Sequence, residues 1–311
     1  MSNYNLIQKI LLLPQIGNKT ALKIIESLNG RNNLDDAELI DFIENLKLPR
    51  FKKLDSEQYS KWQRNYETIF ENNTLNDVKN ITFDEDKYPE LLKQLKNFPL
   101  ILNYKGNLQK LTIAPSVSVI GTREPTEYGQ KIGFRIGEVL AERGINVISG
   151  LAIGCDALGH MGALNKNGFT CAVLAHGLQE VYPKQNLLLA EKILEQDGLL
   201  VSEYPYGMSP TKNSFVERDR IQAGLSNSTV VIETGIKGGT MHAVGTTIEL
   251  GRNLFCIEHP DKYKNEEKVQ GNLKLIKEGV AKPIGTKDDL EILISSTKSG
   301  ECVPKEILTL F

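Results

Sequence analysis

Six short apolar runs, SVSVIG (116–121), NVISG (146–150), FTCAVLA (169–175), LLVSE (199–203), STVVIE (228–233) and NLFCIE (253–258), constrain this chain more than any other feature. Between them lie segments of helix length and amphipathic pattern, such as EYGQKIGFRIGEVLAERG and KQNLLLAEKILEQDG. A strand that is apolar along nearly its whole length must be covered on both faces, and helices alternating with strands supply the two covers. The pattern predicts an α/β domain with a parallel sheet, extended and Rossmann-like, over residues 79–284. Sheets of this kind bind ligands at the carboxyl ends of their strands. Residues 1–78 read differently. Leu6, Ile10 and Leu13, then Ala21, Ile24, Ile25 and Leu28, and later Trp62, Ile69 and Phe70, recur at helical spacing. Polar stretches at Asn29–Asn33 and Asn72–Asn76 separate them, so a small all-helical domain is expected to precede the sheet. After Pro283 the stretch DDLEILISS predicts one more helix within a short tail, 285–311.

The predicted strand ends carry the candidate chemistry. Gly121, Thr122 and Arg123 follow the first run, Gly150 ends the second ahead of Gly154-Cys155-Asp156, and Glu233 ends the fifth ahead of Gly238-Gly239-Thr240. Glycine at a strand-to-helix turn lets backbone amides approach an anion, and the helix N-terminus adds partial positive charge. Three such turns along one sheet edge make a groove suited to phosphate oxygens. Neither G-x-G-x-x-G nor G-x-x-x-x-G-K-[ST] is present, so dinucleotide binding and nucleotide hydrolysis lose their best support. Arg123, Lys184, Arg218, Arg220 and Lys237 form a rim of cations near the strand ends. The net charge of −2 requires that any polyanion meet positive charge gathered on one face. Arg218 and Arg220, two apart on a predicted helix, splay. They can grip successive phosphates or pair with Glu217 and Asp219, and the residues alone favour pairing.

Other groups are expected to be structural. Asp156 and His160, four apart, read as a hydrogen bond bracing a helix start. Glu203 and Glu233 read as carboxylates that orient backbone or arginine groups at the groove, and His242 and His259 show no metal-ligand spacing. Cys155, Cys171, Cys256 and Cys302 form no C-x-x-C pair and are expected to be reduced core thiols of a cytoplasmic protein. The N-terminus lacks a basic leader region and no stretch approaches the length of a membrane span, so no membrane partner is expected, nor any cofactor or metal.

From about Asp84 to Ala281 the chain resembles the DprA/Smf (DNA-processing protein A) family, motif after motif and in order. YPELLKQLKNFPLILNYKGNLQKL resembles the family's opening, VSVIGTR its V-x-I-V-G-S-R, and SGLAIGCDALGHMGAL its S-G-L-A-x-G-I-D-x-x-x-H-x-x-A-L. AVLAHGLQEVYPKQN, SEYP, FVERDRIQAGLS, VVIE, GRNLFCIEHP and GNLKLIKEG continue the series. The resemblance implies a homodimer that holds single-stranded DNA in the groove and hands it to the RecA recombinase, protecting incoming DNA in natural transformation. Carried over by position, the binding residues it implies are Gly121, Thr122, Arg123, Gly150, Gly154, Lys184, Asn186, Arg218, Arg220, Gly239 and Thr240, with Tyr182 a candidate for base stacking. On this reading Arg218→Glu is expected to weaken binding uniformly across base sequences and leave folding intact.

Several positions depart from the family pattern. Thr122 replaces Ser, Ile153 a basic or polar residue, Val216 Pro and Gly238 Ser, while Asp219 replaces Asn and adds a negative charge between the two arginines. LLLPQIGNKTALKII resembles a helix-hairpin-helix with Gln15 where the first hairpin glycine is expected, and it is read as a structural hairpin. The winged helix that many relatives carry is not expected in the short tail. Two other classes share the groove. Nucleoside-monophosphate phosphoribohydrolases carry P-G-G-x-G-T-x-x-E, but KGGTMHAVG puts Gly245 or Ala243 at the glutamate position, so no enzyme is expected. A nucleotide-binding sensor module is the remaining alternative.

Overall fold

The computed structural model describes residues 3–49 and 51–300. Four helices come first: α1 (Tyr4–Leu11), α2 (Asn18–Leu28), α3 (Asp36–Asn45) and α4 (Ser56–Leu75). Their periodic apolar positions, among them Ile7, Ile10, Ile24, Leu28, Leu39 and Ile43, converge on one core. Capping boxes open α3 at Asp35 with Glu38 and α4 at Asp55 with Gln58, each stabilising its helix by about 1 kcal/mol. The Trp62 indole of α4 donates to the Lys9 carbonyl of α1 at 2.9 Å. In the hairpin between α1 and α2, Gln15 takes the left-handed conformation that glycine adopts freely, φ +64°. The hairpin therefore forms with glutamine at that position.

The strands are β1 (Lys79–Thr82), β2 (Ile101–Gly106), β3 (Ser116–Ile120), β4 (Asn146–Ser149), β5 (Thr170–Val173), β6 (Leu199–Ser202), β7 (Ser228–Val231), β8 (Asn253–Ile257) and β9 (Lys282–Ile284). They form one nine-stranded sheet in the order β1-β2-β6-β5-β4-β3-β7-β8-β9. Strands β3 to β8 are the six apolar runs, and they and β9 are parallel, as the Rossmann-like reading requires. Strands β1 and β2 add antiparallel at the β6 edge. Leu100, just before β2, and Ile101, its first residue, also belong to the core of the helical layer, so the two parts share buried surface.

The remaining helices cover both faces: α5 (Glu90–Lys93), α6 (Leu108–Ile113), α7 (Glu127–Glu142), α8 (Cys155–Asn165), α9 (Leu187–Glu195), α10 (Lys212–Gly224), α11 (Met241–Glu249), α12 (Gln270–Lys277) and α13 (Lys287–Ser299). Ile136 and Leu140 of α7 and Leu293 and Ile294 of α13 pack on Val117, Val119, Val230 and Phe255. The helix expected in the tail thus closes the core of the sheet. On the opposite face Ala243 and Val244 of α11 and Leu275 of α12 pack on Ile120, Val231 and Cys256. Strand order reverses beside β3, with β4 on one side and β7 on the other, which places a crevice at their carboxyl ends. Cys155, Cys171 and Cys256 are free and buried, and burial pushes each thiol up; Cys302 lies outside the described residues. No helix among the described residues is long and apolar enough to cross a membrane.

Candidate nucleic-acid interface

Glu233, at the end of β7, builds one wall of the crevice. Its carboxylate accepts from the Thr126 amide at 2.8 Å and the Thr126 hydroxyl at 2.5 Å, and His259 Nε2 stands 3.0 Å away. Thr126 Oγ1 in turn accepts from the Gly129 amide and caps α7. The Glu233 backbone carbonyl takes the Thr122 amide at 2.7 Å. Burial pushes the Glu233 carboxyl up, but the bonds from His259 and Thr126 outweigh it and hold the group below the usual carboxylate range. The N-terminus of α7 is therefore already occupied by the protein's own carboxylate. The turn between β3 and α7 is pinned at Thr122 and Thr126, and Arg123 projects from it, exposed, with its guanidinium 5.7 Å from the centre of the Phe215 ring.

The turn after β4 spends its amides internally. Gly150 and Ala152 donate to Asp156 Oδ2 at 3.1 and 3.3 Å, and Cys155 donates to the Thr122 carbonyl at 3.1 Å. Leu151 sits at φ +58°, held by the Asn186 amide donating to its carbonyl at 2.8 Å, so buried Asn186 supports the loop from beneath. Gly150 answers a packing demand. A Cβ there would lie 2.0 Å from Arg218 Nη1.

Arg218 on α10 is 5% exposed. Its Nη1 donates to the carbonyls of Gly150 and Val173, and its Nε lies 3.0 Å from Asp219 Oδ1. Burial pushes Asp156 up to about 6; Arg218 opposes that shift and Asp219 adds to it. Asp219 is raised by burial as well. The guanidinium forms the floor of the crevice with its charge balanced by two carboxylates. Arg220 turns away and pairs with Glu203 at 2.5 Å and Glu217 at 3.0 Å. The pairing that the residues alone favour is the arrangement the structure adopts, whereas the Asp156–His160 bond does not form. His160 Nδ1 instead meets Thr170 Oγ1 at 2.7 Å, because Asp156 is turned to the loop amides.

Two adjoining clefts open above this floor. One of about 410 Å³ lies between the β3 turn, α10 and the Gly235–Thr240 turn that leads into α11. The other, about 720 Å³, lies between the β4 turn and Tyr182–Gln185. Arg123, Ala152, Phe215 and Arg218 line both. Tyr182 is 45% exposed with its ring 5.7 Å from that of Phe215. Lys184 and Lys237 are exposed, and a Cβ on Gly239 would meet nothing within 4 Å. Phe215 went unremarked in the sequence. Its signal was an aromatic residue three positions before Arg218, the spacing that brings two side chains to one helix face.

Residues 79–294 match the family model of DNA recombination-mediator protein A. The chain belongs to the DprA/Smf family. It is 32% identical over 215 residues to the DNA processing protein DprA of Bacillus subtilis, which covers 68% of this chain and 70% of that protein. It is 37% identical over 203 residues to protein Smf of a Synechocystis strain, covering 64% of this chain and 50% of the relative. The chain thus spans about half the length of the Smf proteins of Synechocystis and Escherichia coli, 50% and 48%. Among solved structures, DprA of Streptococcus pneumoniae superposes with a TM-score of 0.77 at 28% identity, covering 94% of this chain and 98% of that one. DNA processing protein A of Helicobacter pylori, in a structure concerned with its single-stranded-DNA binding mode, gives 0.63 at 27% identity and covers 70% and 97%.

Of the residues that the DprA/Smf motifs single out, the fold brings Gly121, Thr122, Arg123, Gly239 and Thr240 to the smaller cleft and Gly150 and Lys184 to the larger. Gly154 and Asn186 shape the β4 loop from within, and Arg220 lies in its own ion-pair cluster. The buried acids give this DprA/Smf chain a defined acid response. Buried His160 and His176 are lowered and take up protons only in the unfolded chain, but Asp156, Asp219 and Glu203 are all raised by burial, so these carboxyls hold protons in mild acid that their unfolded counterparts have lost. Their destabilising contribution is full above the folded values and is relieved as pH falls toward the unfolded ones. The difference in urea-unfolding free energy between the wild type and Asp156→Asn, in which the histidine contributions cancel, is expected to shift in favour of the wild type as pH falls from about 7 to 5; a difference that stays constant over that range contradicts the arrangement.

Proposed function

We propose that the two clefts bind single-stranded DNA. Phosphates run along the exposed rim of Arg123, Lys184 and Lys237, and bases lie against Phe215 and Tyr182. The observation that carries this reading is Arg123 held over Phe215 where the two clefts meet, a cation and aromatic faces side by side. Backbone charge and base stacking are the two ingredients of strand binding without sequence preference. Membership of the DprA/Smf family and likeness to the H. pylori protein support it. The role is that of a cytoplasmic binding protein rather than an enzyme. It acts as a homodimer that shields incoming DNA and passes it to RecA.

The test is fluorescence anisotropy of a labelled 30-nucleotide strand over a salt series, with a matched duplex as competitor. Wild-type binding is expected to fall steeply with salt and to resist the duplex. Arg123→Ala is expected to weaken it about 10-fold at low salt, equally for all base sequences, and to reduce the salt slope by about 1. Salt-insensitive binding sinks the proposal.

A further inference from the structure

Between Thr122 and Thr126 the β3 turn has little backbone of its own to hold it. Pro125 has no N–H, and the Glu124 amide reaches back to Thr122 Oγ1 at 3.3 Å. A residue before proline is steered to extended conformations, so the Glu124 carbonyl moves with the whole segment, Arg123 included. Among the described residues two side chains grip the carbonyls of this segment. Gln130 Nε2 of α7 reaches Pro125 at 3.3 Å, and Lys268 Nζ donates to the Glu124 carbonyl at 2.9 Å. Lys268 comes from the segment between β8 and α12, residues 258–269, and lies 144 positions from Glu124 in the chain.

That segment is a strap with several anchors. His259 is buried, with Nε2 3.0 Å from Glu233 Oε1 and Nδ1 3.1 Å from the Ile257 carbonyl. Tyr263 stacks on Tyr128 of α7 with ring centres 5.7 Å apart, and Tyr128 meets the His259 ring edge-on at 5.3 Å. Val269 is fully buried, and Gln270 Nε2 closes the strap on itself at the Lys264 carbonyl, 2.6 Å away. Where the strap passes into α12, the Gly271 amide donates to the Thr234 carbonyl at 2.8 Å. A Cβ on Gly271 would lie 2.6 Å from that oxygen, so the strap approaches the β7 turn as closely as glycine allows. Thr234 and Gly235 line the smaller cleft, as Arg123 does. The strap therefore ties both turns together, although none of its residues lines either cleft. We infer that the strap is the brace that aims Arg123, and that Lys268 is a positioning residue for strand binding. Its ammonium is directed at a backbone carbonyl, and its effect on DNA passes through Arg123. This inference rests on the strand-binding proposal for its affinity readout.

Anisotropy titration of the 30-nucleotide strand tests it, with Lys268→Met and Lys268→Arg made in the wild type and in Arg123→Ala. Lys268→Met is expected to weaken binding about 5-fold when Arg123 is present and less than about 2-fold when it is not, because residues that act through one another are not additive. Lys268→Arg keeps a donor for the Glu124 carbonyl and is expected to bind like the wild type. Equal losses in the two backgrounds, with the salt slope falling by about 1 in each, would make Lys268 a phosphate contact and overturn the brace. Unchanged affinity in Lys268→Met would overturn it too. Tyr263→Leu removes the stack on Tyr128 and is expected to weaken binding in the same way, so it decides if Lys268→Met fails to fold. A second readout needs no DNA. The ring current of Phe215, 5.7 Å from the guanidinium, displaces the NMR signal of the Arg123 Nε–H, and Lys268→Met is expected to move that signal toward the position of a free arginine. A moved signal in a protein that binds no strand leaves the brace standing and removes the proposed function. Strand binding with an unmoved signal and additive losses does the reverse.

Discussion

Arg218→Ala is expected to lower the free energy of unfolding by about 3–5 kcal/mol, because it removes one partner of a buried charge cluster. The variant leaves Asp156 and Asp219 without their shared counter-charge, strips the donor from the Gly150 and Val173 carbonyls, and opens a void under the β4 turn. In urea denaturation the midpoint should fall with little change in slope. This revises the expectation that Arg218→Glu would spare folding. With the guanidinium 5% exposed, a glutamate would place a third carboxylate beside two. An Arg218→Ala protein that unfolds with the wild type would mean that the cluster does not hold the crevice floor.

The second large effect is expected at Glu233. Glu233→Ala orphans the Thr126 amide, the Thr126 hydroxyl and His259 Nε2 in a fully buried site, and a loss of about 3 kcal/mol follows. It also frees the turn that aims Arg123, so strand affinity should fall although no residue of the exposed rim is altered. The sign of its acid response is opposite to that of Asp156. A carboxyl held below its ordinary value contributes stability that is present above the unfolded pKa and is lost as pH falls through the folded one. Wild type and variant should therefore converge in stability below about pH 4 and diverge above it. Parallel profiles down to pH 3 would assign the loss to packing instead.

The parallel sheet was legible because strands covered on both faces must be apolar along nearly their whole length, and β3 to β8 are. Strands β1, β2 and β9 were not recognised. KNIT is polar at its exposed end, ILNYKG emerges from the core toward its glycine, and KPI is three residues with a proline at the sheet edge. In the crevice the glycines were found for a reason that holds only in part. Gly239 is open, but Gly150 is needed because Arg218 crosses beneath it, a contact between residues 68 positions apart that no local pattern announces. The spacing of Arg218 and Arg220 said that they diverge. Which one goes inward is decided by the carbonyls of Gly150, just after β4, and Val173 of β5, and so is a tertiary fact.

The sharing of Leu100 and Ile101 between the helical layer and β2 bears on how such a protein can be cut or recombined. The four helices are not a cassette that can be exchanged at the chain boundary near residue 78. A graft must bring β2 with it, and β2 is the strand that pairs with β6. Excising the layer together with β2 would bare the β6 backbone as a new sheet edge open to pairing with another chain. Leaving β2 behind would strand two apolar side chains in water. Shuffling between relatives is therefore expected to succeed at junctions after β2, where the seam of the two parts stays within one parent.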